Sequence, residues 1–264
     1  MKRFLLSGFA ATAVAVAVVS HLPSASTDTL AAAKGNCSNV PNAAQLKAYL
    51  NAAPDMTGEI GGEVGGLFSG ERMWAAVVNR DGEVCAYSTS TADPTQVWPG
   101  SQAIAKAKAY TANAFSLDVL ALSTARLYTF TQPGHSLWSL GQSNLFNANL
   151  LVAPGGTGDK NQIAGGTIFF GGGVPIYYEG KIVGGLGISG DTSCADHEIA
   201  KRVRSLAGMN PPGAAPGGDP TADDIVYATN AASANVFAHP VCLNTYLNGE
   251  KVGEEAPAFY PKAN

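Results

Sequence analysis

Charge is scarce in this chain: 16 Lys and Arg and 20 Asp and Glu are spread over 264 residues, for a formal net charge of −4. Beyond the short group Lys201, Arg202 and Arg204 there is no basic cluster. Phosphate-backbone binding needs a concentrated cationic face, so nucleic acid is excluded as a partner. Metal and nucleophile signatures are missing as well. There is no Cys-x-x-Cys, no Cys-x-x-Cys-His and no Gly-x-Ser-x-Gly, and His197-Glu198 has no second histidine on the following turn. These gaps remove the thioredoxin-like pair, covalent haem attachment, the hydrolase elbow and the zincin helix from consideration.

What is present begins with an export signal. Lys2 and Arg3 precede an apolar run from Phe4 to Val19, followed by small and polar residues. The run is short of the roughly 20 apolar residues of a spanning helix and has no basic stop-transfer cluster behind it. Residues 1–33 are therefore expected to be a signal peptide cleaved after Ser26 or Ala33, giving a periplasmic or secreted product with no stable membrane insertion. Loss of Lys2 and Arg3 by cleavage after Ser26 takes the formal charge to −6.

In an oxidising compartment the four cysteines, Cys37, Cys85, Cys194 and Cys242, are expected to form two disulfides. Nearest-neighbour pairing closes the shorter loops at the lower entropy cost, which favours Cys37 with Cys85 and Cys194 with Cys242. Pairing of Cys85 with Cys194 remains the alternative.

Along the chain, residues 34–72 hold a short helix over Asn42–Asn51 and a Gly-rich loop. Met73–Val78, the turn Asn79-Arg80-Asp81-Gly82 and Glu83–Ser88 read as a hairpin around an Asp-Gly signal. Ser101 is the expected N-cap of a helix to Phe115, with Ile104, Ala107, Lys108, Thr111 and Phe115 on one face. Leu117–Arg126 reads as a further helix. A Gly, Asn and Pro-rich insertion runs from about Gln132 to Gln162. A second hairpin, Val174–Tyr178 with Lys181–Ser189, leads through Gly190-Asp191-Thr192-Ser193 into a helix ending near Ala207. From 209 to 264 a Pro/Gly linker and tail follow, expected to be pinned by a disulfide rather than folded alone.

Gly185-Leu186-Gly187-Ile188-Ser189-Gly190 fits the dinucleotide fingerprint formally, but it lies on a hairpin strand and no second parallel strand follows. Its glycines are better read as sites where backbone packs closely against a helix or a neighbouring subunit. Ser189, Asp191 and His197 have the residue types of a hydrolase triad without its elbow. Asp191 or Thr192 is better read as starting a helix.

Three blocks carry a family resemblance: Ile104–Ala112, Gly171–Ile176 and Glu179–Gly190, followed by Asp196. Together, from about Met73 to Ala207, they resemble the GlcG/HbpS-like family of haem-binding proteins. The resemblance implies an α/β (α+β) fold, a profilin-like α/β/α sandwich with an antiparallel sheet over 73–208, here with a Pro/Gly-rich C-terminal extension. It also implies homo-oligomers and, in some members, binding of haem or another tetrapyrrole. By position, Lys108 and Thr111 occupy the family's Lys-Ala-x-Thr helix, Gly172, Gly173 and Pro175 its Gly-Gly-x-Pro turn, and Asp196 the acidic residue opening the last helix. The resemblance supplies no invariant iron ligand.

Neutral imidazole is the common protein ligand of haem iron. His21 falls in the signal and His239 in the tail outside the family-like region, which leaves His135 and His197. Leu137, Trp138 and Phe130 could cover a macrocycle at His135, whereas carboxylates beside His197 could orient its second nitrogen. The rival readings are a small-molecule enzyme using His135 or His197 as acid/base near Lys108, and an accessory assembly subunit.

Overall fold

The computed structural model describes residues 36–143, 163–228 and 235–255, all within the unit Lys34–Asn264. The expected signal peptide and much of the 132–162 insertion lie outside the described residues.

A capping box starts α1 (Ala43–Ala52). The Asn42 side chain accepts from the backbone N–H groups of Ala44 and Gln45, while the Gln45 side chain accepts from Asn42 N–H, so orphan donors of the first turn are satisfied reciprocally. Leu46 and Leu50, one turn apart, are fully buried.

The sheet is antiparallel throughout, in the order β2-β1-β4-β3, from two hairpins: β1 (Trp74–Asn79) with β2 (Val84–Thr89), and β3 (Gly173–Tyr178) with β4 (Lys181–Ser189). Central β1 is buried on both faces, and its period-two alternation divides the core. Ala75 and Val77 join Leu46, Leu50, Ile199 and Val203 on one side. Trp74, Ala76 and Val78 join Ala105 and Ala109 of α2 (Pro99–Phe115) on the other. With α2 on one face and α1 and α4 (Ser193–Leu206) on the opposite one, the domain is a three-layer α/β/α sandwich.

The β4 glycines explain the tight layer spacing. A Cβ on Gly185 would strike the Ala109 carbonyl, and one on Gly187 the Ala105 carbonyl. Only the absence of side chains lets α2 lie against the strand. The fingerprint-like pattern is thus a packing device, as its hairpin context implied.

Two local expectations are corrected. Helix α2 starts at Pro99, with Trp98 at the N-cap and no side-chain cap bond, and Ser101 lies buried inside its first turn. Proline at the first helical position gives up only an orphan N–H and is already set at the helical φ. Leu117–Arg126 is a turn followed by a 3-10 helix at Thr124–Leu127, because its hydroxyls bond elsewhere. Ser116 Oγ closes the turn on both the N–H and the carbonyl of Leu122. Ser123 Oγ donates to Asp223 O, and Thr124 Oγ1 to Phe170 O. Such bonds compete directly with helical ones. A single turn, α3 (Leu140–Ser143), follows.

The tail folds over α4. It carries the short strands β5 (Val226–Tyr227) and β6 (Ala238–His239), which pair in parallel, and the hairpin of β7 (Thr245–Leu247) with β8 (Glu250–Gly253). Both expected disulfides are present, Cys37–Cys85 and Cys194–Cys242. No helix among the described residues is long and apolar enough to cross a membrane.

Candidate functional site

The glycine turn Gly171–Gly173 draws together residues from four separate segments. From α2 come Lys108 and Thr111, and from the first turn of α4 come Asp196 and His197. The 3-10 helix supplies Thr124 and the tail supplies His239. Gly172 has φ +114, and a Cβ there would approach Ile188 O at 2.5 Å and Lys108 Nζ at 2.6 Å. No L side chain fits that position. Thr124 Oγ1 accepts from Gly173 N–H at 2.9 Å while donating to Phe170 O, which clamps both ends of the turn. Pro175, in β3, receives Arg204 Nη1 on its carbonyl.

Beneath the turn, Lys108 Nζ donates to Asp196 Oδ2 at 2.7 Å and to Ile188 O at 3.0 Å, and sits 4.9 Å from the centre of the Phe170 ring. Asp196 Oδ1 accepts from Asp191 N–H. The pair is fully buried. Burial pushes the Asp196 carboxyl up to about 6 against the pull of Lys108, and the same desolvation lowers the Lys108 ammonium against the pull of Asp196. Thr111 Oγ1 donates to Ala107 O and accepts from Ile168 N–H, so it anchors the chain entering the turn.

His197 is completely buried. Its Nε2 lies 3.3 Å from Asp224 Oδ1, and neither ring nitrogen makes a well-aligned hydrogen bond. Lys201 Nζ bridges Asp224 (3.0 Å) and Glu198 (2.6 Å). Burial alone would raise the Asp224 carboxyl, but the neighbouring His197 and Lys201 together hold it below the usual carboxylate range. Arg202 and Arg204 are buried too. The Arg202 Nη atoms reach the carbonyls of Gly62 and Glu63, and Arg204 makes a two-pronged pair with Asp223 at 3.0 and 2.7 Å. The short basic group is therefore interior, Lys201 and Arg204 met by the tail and Arg202 by the loop before β1.

The triad types are not brought together. Asp191 accepts from the N–H groups of Leu67, Phe68 and Thr192, whereas His197 faces Asp224. Thr192 is the α4 N-cap, its side chain accepting from Ala195 N–H.

His239 is the residue that sequence reasoning set aside. It is 1% exposed, accepts from Gly171 N–H on Nε2 at 3.2 Å and lies 2.7 Å from Pro240 O through Nδ1. A carbonyl only accepts, so Nδ1 carries the proton and the ring is the neutral Nδ1–H tautomer. Burial pushes its basicity down to about 4. The signal for it was the spacing His239-x-x-Cys242, since bonding Cys242 to Cys194 delivers His239 to the start of α4.

His135 stands apart and faces solvent. Its turn is closed by bonds from His135 N–H to Gln132 O and from Leu137 N–H to Phe130 O. Phe130 meets the Phe237 ring at 5.6 Å, and Trp138 and Phe237 remain 45% and 39% exposed. Among the described residues, surface cavities of about 270 to 480 Å³ at Tyr49, Val241, Leu120 and Glu63 have no histidine in their walls.

Fold and site together define an α+β sandwich domain with a buried Lys-Asp pair under a glycine turn and a disulfide-linked extension sealing its last helix. The chain belongs to the HbpS-like family: the model described as "Haem degrading protein HbpS-like" matches residues 67–204. Among solved structures it is similar to PduOC in complex with haem, at 21% identity over 62% of this chain and 89% of that one, with a TM-score of 0.42. A double mutant of Streptomyces reticuli HbpS matches at 19% identity over 63% and 88%, TM-score 0.40. The Klebsiella pneumoniae protein ORFY matches at 23% identity over 52% and 74%, TM-score 0.37. No curated protein sequence matches the chain.

Proposed function

We propose that this is an exported haem- or tetrapyrrole-binding protein that holds the iron of its ligand through His135. One observation carries the choice of ligand: among the described residues, His135 is the histidine whose side chain is exposed, whereas His197 and His239 are 0% and 1% exposed. The surface around it suits a flat apolar macrocycle, with Trp138, Val236 and Phe237 presenting apolar area that a monomer otherwise leaves in water. A bound haem would supply a redox-active iron, and the His135 imidazole would hold it. The chain's own contribution is to orient His135 on a hydrogen-bonded turn and to cover the ring with aromatic side chains. Family membership supports the ligand class, and the apolar segment at residues 4–19 supports export.

The test is haem titration of wild type and of His135→Ala, His197→Ala and His239→Ala, followed by absorbance. His135→Ala is expected to shift the main haem band and weaken binding by at least about tenfold, with the two buried-histidine variants close to wild type. An unchanged band and affinity in His135→Ala overturns the ligation, and a wild type that takes up no haem overturns the function.

A further inference from the structure

We infer that Cys194, Cys242 and His239 form a second, reduction-dependent site for a tetrahedral divalent metal such as zinc. The three candidate ligand atoms lie within 4.8 Å of one another, and all three residues are buried. His239 has the second-shell support usual for a metal-bound imidazole: Nδ1–H is fixed on Pro240 O at 2.7 Å, which leaves Nε2 as the nitrogen free of a proton and available as a ligand. Ser193 Oγ lies 3.4 Å from Nε2 and 3.3 Å from Cys242 Sγ. With Zn–S near 2.3 Å and Zn–N near 2.0–2.1 Å, tetrahedral ligands stand roughly 3.5 Å apart. The serine oxygen therefore stands at ligand-to-ligand distance from two of the three, and it or a water would supply the fourth ligand. Cys194 is in the first turn of α4, where the helix N-terminus favours a thiolate.

In the oxidised protein the disulfide occupies this position. Reduction transfers two electrons and two protons from a dithiol, which closes to its own disulfide, and the Cys194–Cys242 bond becomes two thiols. The metal then displaces both thiol protons and the long 3.2 Å bond from Gly171 N–H to Nε2, and the sulfurs part to roughly 3.8 Å. Both states hold the same two points of the chain together. The metal therefore replaces the covalent staple of the tail when the staple is cut.

Cobalt(II) is the probe. The full chain, reduced with a phosphine that leaves no competing thiols, is expected to bind one cobalt with thiolate charge-transfer and tetrahedral d–d bands. The oxidised chain is expected to give neither. His239→Ala should weaken binding at least about tenfold, and His135→Ala should leave it unchanged. In case His239→Ala perturbs folding, X-ray absorption on zinc-loaded reduced wild type provides an independent readout, with two sulfur and two nitrogen or oxygen neighbours expected. Absence of the cobalt bands, bands unchanged in His239→Ala, or a zinc shell without two sulfurs would each overturn the site.

Discussion

The two extensions of the sandwich are tied down by disulfides of equal span, yet what lies beneath them differs in its share of buried charge. Cys37–Cys85 and Cys194–Cys242 each close 48 residues, so loop-closure entropy gives each about 4 kcal/mol at most. Under the first, α1 lays Leu46 and Leu50 on the apolar core. Under the second, the tail meets α4 through Arg204–Asp223, Lys201–Asp224 and Asn248 N–H on Glu198, with strands of only two to four residues. Equal staples thus hold one segment that adheres by joining the main apolar core and one that adds matched buried charges to a smaller apolar cluster of Ile225, Tyr227 and Cys242. Apolar packing tolerates small errors in fit, whereas a buried ion pair fails as soon as one partner is removed.

That contrast is most open to attack at Arg204. Arg204→Met strands the Asp223 carboxylate in the interior and is expected to cost about 3–5 kcal/mol, read from urea unfolding. Its counterpart, Leu50→Ala, should cost roughly 2–5 kcal/mol through the cavity it leaves. Mass-detected hydrogen exchange separates the two, because only Arg204→Met should loosen residues 220–250. Uniform loosening in both variants would erase the distinction.

Removing each disulfide sharpens it. Cys37→Ala with Cys85→Ala, and Cys194→Ala with Cys242→Ala, should each cost about 2–4 kcal/mol. Limited proteolysis of the metal-free proteins should cut the tail in the second pair of changes but leave α1 protected in the first. Equal protease sensitivity at both ends would count against unequal adhesion.

The finest test is acidity. Asp224 is held below its ordinary carboxylate value, so its stabilising contribution is present above the unfolded value near 3.9 and is lost as pH falls from there toward the folded value. His197 and Lys201 are the side chains that face it. Stability measured from pH 5 down to 2 should fall more steeply in wild type than in Asp224→Asn. Parallel profiles would remove Asp224 from the account.

Much of the sandwich could be read directly from the chain, because its signals are local. The Asp81-Gly82 and Glu179-Gly180 turns lie between β-rich runs, and Gly82 and Gly180 adopt the positive φ that such turns require. The resemblance located Lys108, Gly172 and Asp196, which do converge. What escaped was tertiary. Lys201 and Arg204 are buried by Asp224 and Asp223, which arrive from some twenty residues later, and Arg202 by carbonyls at residues 53–63 from far earlier in the chain. Ser123 and Thr124 read as part of a helix because their distant carbonyl partners carry no sequence mark. His239 was set aside for lying in the tail, when the bridge already expected at Cys242 was what brought it to α4.

The order of the four cysteines along the chain has a consequence for how the molecule is made. The loops 37–85 and 194–242 are disjoint, so neither bridge must thread past the other. With the export proposed above, the chain would enter an oxidising space N-terminus first and present its cysteines in the order in which they pair. The first bridge can close before the third cysteine emerges, and simple oxidation in order of arrival yields the native connectivity without reshuffling by an isomerase.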